Sequence, residues 1–317
     1  MNTIGHHFRL TTFGESHGTA IGGVIDGCPS QLKLDFELID KELRRRKTAQ
    51  TDTASQRNEP DQIEWLSGLL NGVTLGTPIA FMVRNEDCKP DDYDALKDMY
   101  RPSHADFTYE QKYGLHDWRG GGRASARTTL PIVVAGAIAK QILKEKGIVV
   151  FAQVTEMGVA QQAKNEGDTV GGIVECRIVG VPAGWGEPMF GKFSAALAHA
   201  MFSLPAVKGF EIGDGFALAK MKGSEANDTF ININGCITTS TNHCGGIQGG
   251  ITNGNDIVFR VAFKPIPSIA KPQHTVNREG EPCEIVIQGR HDVCALPRAV
   301  VLIEAMAALV TVDMSIK

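Results

Sequence analysis

Two histidines and one aspartate lie in stretches whose neighbours can support proton transfer. His17 falls in Gly14-Glu15-Ser16-His17-Gly18, His104 in Arg101-Pro102-Ser103-His104-Ala105-Asp106, and Asp292 in Gly289-Arg290-His291-Asp292-Val293-Cys294. Imidazole titrates near neutrality, so it can give or take a proton at working pH. His291 stands beside Asp292 in the last block, whereas His6, His7, His116, His199, His243 and His274 get no role from their neighbours, and no H-x-x-x-H spacing occurs. The pattern therefore supplies no metal site.

A second chemistry is anion binding. Residues 118–129, Trp118-Arg119-Gly120-Gly121-Gly122-Arg123-Ala124-Ser125-Ala126-Arg127-Thr128-Thr129, crowd arginines, glycines and hydroxyls together. Glycine lets backbone N–H groups approach a ligand, a helix N-terminus attracts anions, and guanidinium grips phosphate or carboxylate with two bonds. The stretch is neither a Walker A motif nor a dinucleotide fingerprint. Arg44-Arg45-Arg46-Lys47 alone reads as a basic helix end. Joined with Arg123, Arg127 and Arg290, it can complete a pocket for a multiply charged anion. Gly14–Gly18 also matches G-x-S-x-G, the nucleophile elbow of serine hydrolases, which needs a helix after it. Here the following Ala20–Asp26 reads as a strand, which disfavours a nucleophilic Ser16.

The elements that must carry these groups follow from periodicity. Leu10–Phe13 and Ala20–Asp26 read as strands around the His17 turn. A helix follows Asp35, an N-cap residue, with Phe36, Ile39 and Leu43 at helical spacing. Residues 47–58 lack apolar periodicity and read as a long mobile loop, with a strand at Thr77–Val83. Further elements are a helix from near Arg127 through Leu143, strands at Val149–Val154 and Gly171–Val181, and a helix at Phe193–Met201. Strands at Thr229–Ile233, Asp256–Phe263 and Glu284–Ile287 precede a last helix opened by Pro297. This order does not alternate strand and helix regularly, so the fold class is α+β, one large domain over residues 1–317.

The chain has 317 residues, 42% hydrophobic and 21% charged, which suits a soluble globular protein with a full core. No apolar run is long enough to span a bilayer, and the N-terminus lacks a signal peptide's pattern, so a cytoplasmic protein without a membrane partner is expected. A net charge of −4 argues against nucleic acid as a partner. Seven scattered cysteines without C-x-x-C spacing read as free thiols.

Taken together, these blocks resemble the chorismate synthase family. The resemblance is carried by Phe13-Gly14-Glu15-Ser16-His17-Gly18, by Arg119 to Arg127, and by Gly289 to Cys294 with Pro297-Arg298-Ala299-Val300 and Glu304-Ala305-Met306. Gly245-Gly246-Ile247-Gln248-Gly249-Gly250-Ile251-Thr252-Asn253-Gly254 and Lys264-Pro265-Ile266-Pro267-Ser268 also match, so the likeness runs almost from end to end.

The resemblance implies a β-α-β sandwich assembled as a homotetramer. It also implies a reaction: 5-enolpyruvylshikimate 3-phosphate loses phosphate and a ring hydrogen to give chorismate, without net redox change. The cofactor would be reduced FMN, supplied by an external reductant, with NADPH involved only indirectly. His17 matches the histidine that protonates departing phosphate, His104 the one placed to protonate reduced flavin, and Asp292 the carboxylate that helps the flavin N5 act as base. By the same matching, Arg123, Ala124, Ser125, Ala206, Gly249, Lys264, Pro265, Ile266, Pro267, Ser268 and Arg290 line the FMN site. Ser16, Arg46, Arg127 and Arg290 contact the phosphorylated substrate. The sequence departs from the family at Lys47 to Asp52, where a proline-glycine turn and an arginine are usual, and it is short between Met157 and Gly167. These departures leave a catalytically impaired flavin- or anion-binding homologue as the alternative.

Overall fold

The computed structural model describes residues 1–48, 59–87, 96–287 and 292–316. The expected 49–58 part of the loop and Arg290 lie outside the described residues. Near the N-terminus run β1 (Thr3–Ile4), β2 (Arg9–Phe13) and β3 (Ala20–Asp26), then helix α1 (Phe36–Thr48). Strand β4 (Ile63–Trp65), the short ribbon β5 (Leu69–Leu70) and β6 (Val73–Thr74), and β7 (Ile79–Arg84) follow. An antiparallel sheet forms in the order β1-β2-β3-β7-β4. In β7, Ile79, Phe81 and Val83 are buried in period-two alternation, as expected of a sheet with one face on a core.

Helix α2 (Asp106–Tyr113) was not expected from the sequence, which reads there as irregular polar chain. Among its residues only Asp106 is buried, so no apolar stripe announces it. The helix expected from near Arg127 instead begins as α3 (Leu130–Glu145), with Pro131 in its first turn. Residues Ala126–Thr129 form a 3₁₀ turn before it, and Ser125 Oγ accepts the Arg127 N–H at 3.2 Å.

The second sheet is built from β8 (Val149–Met157), β9 (Gly172–Val179), β10 (Val207–Ile212) and a later strand. Between them lie α4 (Ala160–Asn165), α5 (Phe193–Phe202), the one-turn α6 (Gly223–Ala226), and the hairpin β11 (Phe230–Ile233) with β12 (Cys236–Thr239). The ribbon β13 (Ile247–Gln248) and β14 (Ile251–Thr252) leads into β15 (Ile257–Phe263), and the sheet order is β10-β15-β9-β8. The hairpin β16 (Gln273–Val276) and β17 (Pro282–Ile285) and the long helix α7 (Leu296–Ser315) complete the chain.

Helices form the middle layer. α3 packs on β2 and β3 of the first sheet, α7 on β8 and β9 of the second, and the two helices pack on each other. Both are apolar nearly all round, as a doubly covered helix must be. A Cβ on Gly136 of α3 would lie 2.3 Å from the Ala305 Cβ of α7, so the crossing requires glycine. Ile257, Phe259, Val261 and Phe263 of β15 join the same continuous core, each contributing about 1.5–3 kcal/mol by burial. The expected β-α-β sandwich is therefore the observed architecture.

Helix α1 opens as expected on Asp35, whose Oδ1 accepts the Leu38 N–H at 3.0 Å. Its last turn is held from inside. Arg45 donates to Glu304 of α7 at 2.7 and 3.0 Å and to Glu42 at 2.8 and 3.0 Å. Lys140 of α3 donates to both carboxylates at 2.6 Å, and Glu304 also accepts the Ala152 N–H of β8 at 3.1 Å.

Candidate active site

The turn between β2 and β3 carries His17. Gly14 adopts φ +90°, and a Cβ there would lie 2.1 Å from the Ala20 carbonyl oxygen, so the hairpin closes only with glycine. Asn85, just past β7, donates through Nδ2 to the carbonyls of Glu15 at 3.1 Å and Gly18 at 2.8 Å. Ser16 is buried, and its Oγ shares a 3.0 Å hydrogen bond with His17 Nδ1. Strand, turn and strand is not the geometry of a nucleophile elbow, so Ser16 serves the histidine.

The glycine-rich loop then closes on this turn. Ser16 N–H donates to the Gly122 carbonyl at 3.3 Å. Gly120 adopts φ +70°, and a Cβ on it would lie 2.5 Å from both Cε1 and Nδ1 of His17. The imidazole is therefore seated against the Gly120 backbone. Arg123 donates to the Gly14 carbonyl at 3.1 Å and to Thr12 Oγ1 at 2.7 Å, tying the loop to the end of β2. Arg119 is paired with Asp117 instead.

Arg46 and Arg127 do meet, and a residue without a role in the sequence reading joins them. Asp61 bonds Arg127 through one carboxylate oxygen, while the other lies 3.2 Å from Arg46 Nη2 and 3.4 Å from Lys47 Nζ. Arg127 Nε also donates to Asn85 Oδ1 at 3.0 Å, which links the arginines to the His17 turn. Burial would raise the Asp61 carboxyl, but Arg46, Arg127 and Lys47 outweigh it and hold it below the usual carboxylate range. Burial lowers the Arg46 guanidinium to about 10; the charges of Arg127 and Arg298 add to this, against the opposing pull of Asp61. Arg46 Nε is buried and unpartnered.

His104 sits in a tight turn before α2, where its N–H donates to the Arg101 carbonyl at 3.1 Å and Ser103 adopts φ +61°. Its Nε2 shares a 2.8 Å bond with Ser268 Oγ, and Lys264 Nζ donates to the Ser103 carbonyl at 3.1 Å. The Lys264 N–H donates to the Ala206 carbonyl at 2.9 Å, and the Ile266 carbonyl accepts from Thr169 at 2.6 Å. The segment Lys264–Ser268, including Pro265 and Pro267, is thus brought to His104 with Ala206 beside it. Burial, then the nearby Lys208 charge, lowers the Lys264 ammonium. Gly249 stands apart: the described contacts of its turn run to the start of α5, where Phe193 N–H donates to the Gly250 carbonyl at 2.9 Å.

Asp292 lies 3.3 Å from Arg298 Nη1, and the charge of Arg298 reaches Arg46. The sequence reading gave no role to Arg298, Asp61 or Asn85. Arg298 lies in the Pro297–Val300 stretch that carries the family resemblance, but nothing in sequence spacing signals a pair as distant as Asp61 and Arg127.

A cavity of about 1140 Å³ opens beside these groups, lined by Phe13, Gly14, His104, Asp106, Arg123 and Ala124 among others. Its volume is at the upper end for small-molecule sites. Titratable and basic side chains at a cavity of this kind are suited to bind an anionic small molecule and exchange protons with it.

The family model for chorismate synthase matches residues 8–162 and 158–316. A chorismate synthase of Porphyromonas gingivalis is 51% identical over 349 aligned positions, covering 99% of this chain and 95% of that protein. One of Parabacteroides distasonis is 49% identical over 347, covering 99% and 97%. A crystal structure of a chorismate synthase superposes with a TM-score of 0.77 at 30% identity, covering 98% of this chain and 92% of that one. The chain belongs to the chorismate synthase family, a lyase of aromatic amino acid biosynthesis. The two matched stretches meet at 158–162, within the segment where the sequence is short. There β8 passes into α4 through Gly158, with no longer excursion. Nothing in these comparisons supports an impaired homologue.

Proposed function

We propose that this lyase removes phosphate and a ring hydrogen from 5-enolpyruvylshikimate 3-phosphate with the help of reduced FMN, giving chorismate. The observation that carries the reading is the meeting of the His17 turn, Asn85 and the glycine-rich loop, which sets an imidazole beside a pair of buried arginines. His17 gives its proton to the leaving phosphate; its bond to Ser16 and its seat on Gly120 fix the ring for that transfer. Arg46 and Arg127 hold the substrate's phosphate and carboxylate charges, with Lys47 in reach of the same anion site.

The cavity is large enough for a flavin, and Arg123 and His104 stand on its wall. Arg123, Ala124, Ser125, Ala206 and Lys264 to Ser268 would hold FMN, joined on the family resemblance alone by Gly249 and Arg290. Reduced flavin bound there would supply transient electron density, without net redox change, and a base for the ring hydrogen. His104, oriented by Ser268, would hold a proton for the reduced flavin, and Asp292, steadied by Arg298, would help the flavin act as a base.

A homotetramer is also part of the proposal. It is supported by apolar side chains exposed on β8 (Val149, Phe151, Val154 and Met157) and on the β11–β12 hairpin (Phe230, Ile233 and Ile237). Cytoplasmic residence and an external flavin reductant complete the reading; the described cysteines are free, as thiols are in a reducing compartment. Among the described residues no helix is long and apolar enough to cross a membrane.

Anaerobic assay of phosphate release with reduced FMN tests the reaction. Turnover is expected, with His17→Ala slower by about 10²–10⁴-fold. A folded, FMN-binding sample that releases no phosphate would overturn the proposal.

A further inference from the structure

Arg101 and Asp106 bracket His104, and both are buried, at 6% and 7% exposure. Arg101 grips the Asp106 carboxylate with two bonds, Nε to Oδ2 at 2.7 Å and Nη2 to Oδ1 at 2.6 Å. The Arg101 backbone N–H donates to the same carboxylate at 3.2 Å, and its carbonyl accepts the His104 N–H at 3.1 Å. The turn that presents His104 is thereby closed at both ends by one ion pair. The guanidinium makes one bond more: Nη2 donates to the Gly120 carbonyl at 2.8 Å. Gly120 is the residue against which the His17 ring is seated, too close for any side chain.

A buried ion pair by itself is weak evidence for stability, because desolvation offsets most of its attraction. This pair has a directional consequence instead. Its planar fork spans three acceptors in a fixed geometry, which a lysine cannot do. One side of the fork sets the His104 turn and the other sets the backbone beneath His17. We propose that Arg101 and Asp106 are a positioning pair that holds His17 and His104 in one fixed relation through Gly120. The proposal rests on the reading of both histidines as catalytic. Neither member of the pair is assigned contact with a reacting atom.

The Asp106 carboxyl also stays ionised. Burial would raise it, but the Arg101 hydrogen bond and charge, with a contribution from His104, hold it below its usual range. Asp106 lines the cavity beside His104, so its charge faces the histidine across the turn.

The test uses Arg101→Lys, and the double variant Arg101→Met with Asp106→Leu, which strands no buried charge and keeps the protein folded. Two readouts are taken: steady-state kinetics with reduced FMN, and the ring-nitrogen NMR signals of ¹⁵N-labelled histidines. Expected is a kcat about 10- to 100-fold lower, as small misplacements of catalytic groups cause, with substrate KM within about 3-fold of the parent. The His17 and His104 signals should move together, while those of His199 and His243 stay. Folded variants with kcat within about 3-fold of the parent would overturn the proposal, and so would unmoved signals of both histidines. Full turnover by His17→Ala and His104→Ala would instead overturn the underlying reading of the site, an outcome visible without either pair variant.

Discussion

Arg45 and Arg46 are consecutive residues of α1 and meet opposite surroundings. Arg45 is partly exposed and reaches the buried carboxylates Glu42 and Glu304, which answer Arg45 and Lys140 charge for charge. Hydrogen bonding to Glu304 raises its guanidinium above the ordinary value despite burial. Arg46 is more deeply buried, and there Asp61 is divided among Arg46, Arg127 and Lys47, with the Glu59 carboxylate 3.8 Å from Arg127. Burial and the charges of Arg127 and Arg298 push its guanidinium down, and its Nε is left without a partner. A satisfied cation braces the fold. A cation crowded by its own kind gains most from an incoming anion, which is the condition a phosphorylated substrate relieves.

Removing the interior carboxylate gives the largest expected effect. Glu304→Ala leaves two cations, Arg45 and Lys140, on the single carboxylate of Glu42 and leaves the Ala152 N–H without its acceptor. Breaking such a buried network costs about 3–5 kcal/mol, measured as the loss of unfolding free energy in urea. A loss below about 1 kcal/mol would mean that the interior cluster is no brace, and the contrast with Arg46 would collapse.

Arg46→Met should show the reverse signature. Its removal relieves like-charge crowding, so stability should change by less than about 1 kcal/mol. The substrate KM should rise by about 10- to 100-fold, the worth of one or two charge-assisted bonds to a phosphate or carboxylate. A stability loss equal to that of Glu304→Ala, with KM unchanged, would place Arg46 in the framework and remove it from the substrate site.

The two sides of α1 also differ in how far they could be read from sequence. Phe36, Ile39 and Leu43 gave the helix by spacing, and Asp35 gave its start, because capping is local chemistry. His17 and His104 stood out because their short blocks combine titratable groups with turn residues. The partners that fix them are long-range: Asn85 reaches the His17 turn from beyond β7, and Asp61 reaches Arg127 across the first sheet's connections. Helix α2 escaped for a different reason: its first-turn aspartate is buried by an ion pair, whereas periodic apolar burial is what a sequence displays. Arg45 and Arg46 are indistinguishable in the run Arg44-Arg45-Arg46-Lys47; only the helix's rotation against α3 and α7 sends one to Glu304 and the next to Asp61.

The smallest effect sharpens the contrast from the far end of the same helix. Asp35→Ala removes the oxygen that accepts the Leu38 N–H and leaves a first-turn donor of α1 without its cap. Such a loss costs about 1 kcal/mol. The backbone of residue 35 remains fastened to α3, since its N–H donates to Gln141 Oε1 at 2.7 Å and its carbonyl accepts from Gln141 Nε2 at 3.2 Å. Fraying should therefore stop within the first turn, about two turns short of Arg46, while the last turn stays clamped by Glu304 and Lys140. Urea unfolding should register the small loss, and the substrate KM should match the parent's. A KM that rises with Asp35→Ala would show that Arg46 is placed by the helix as a whole, and that the interior cluster alone does not set it.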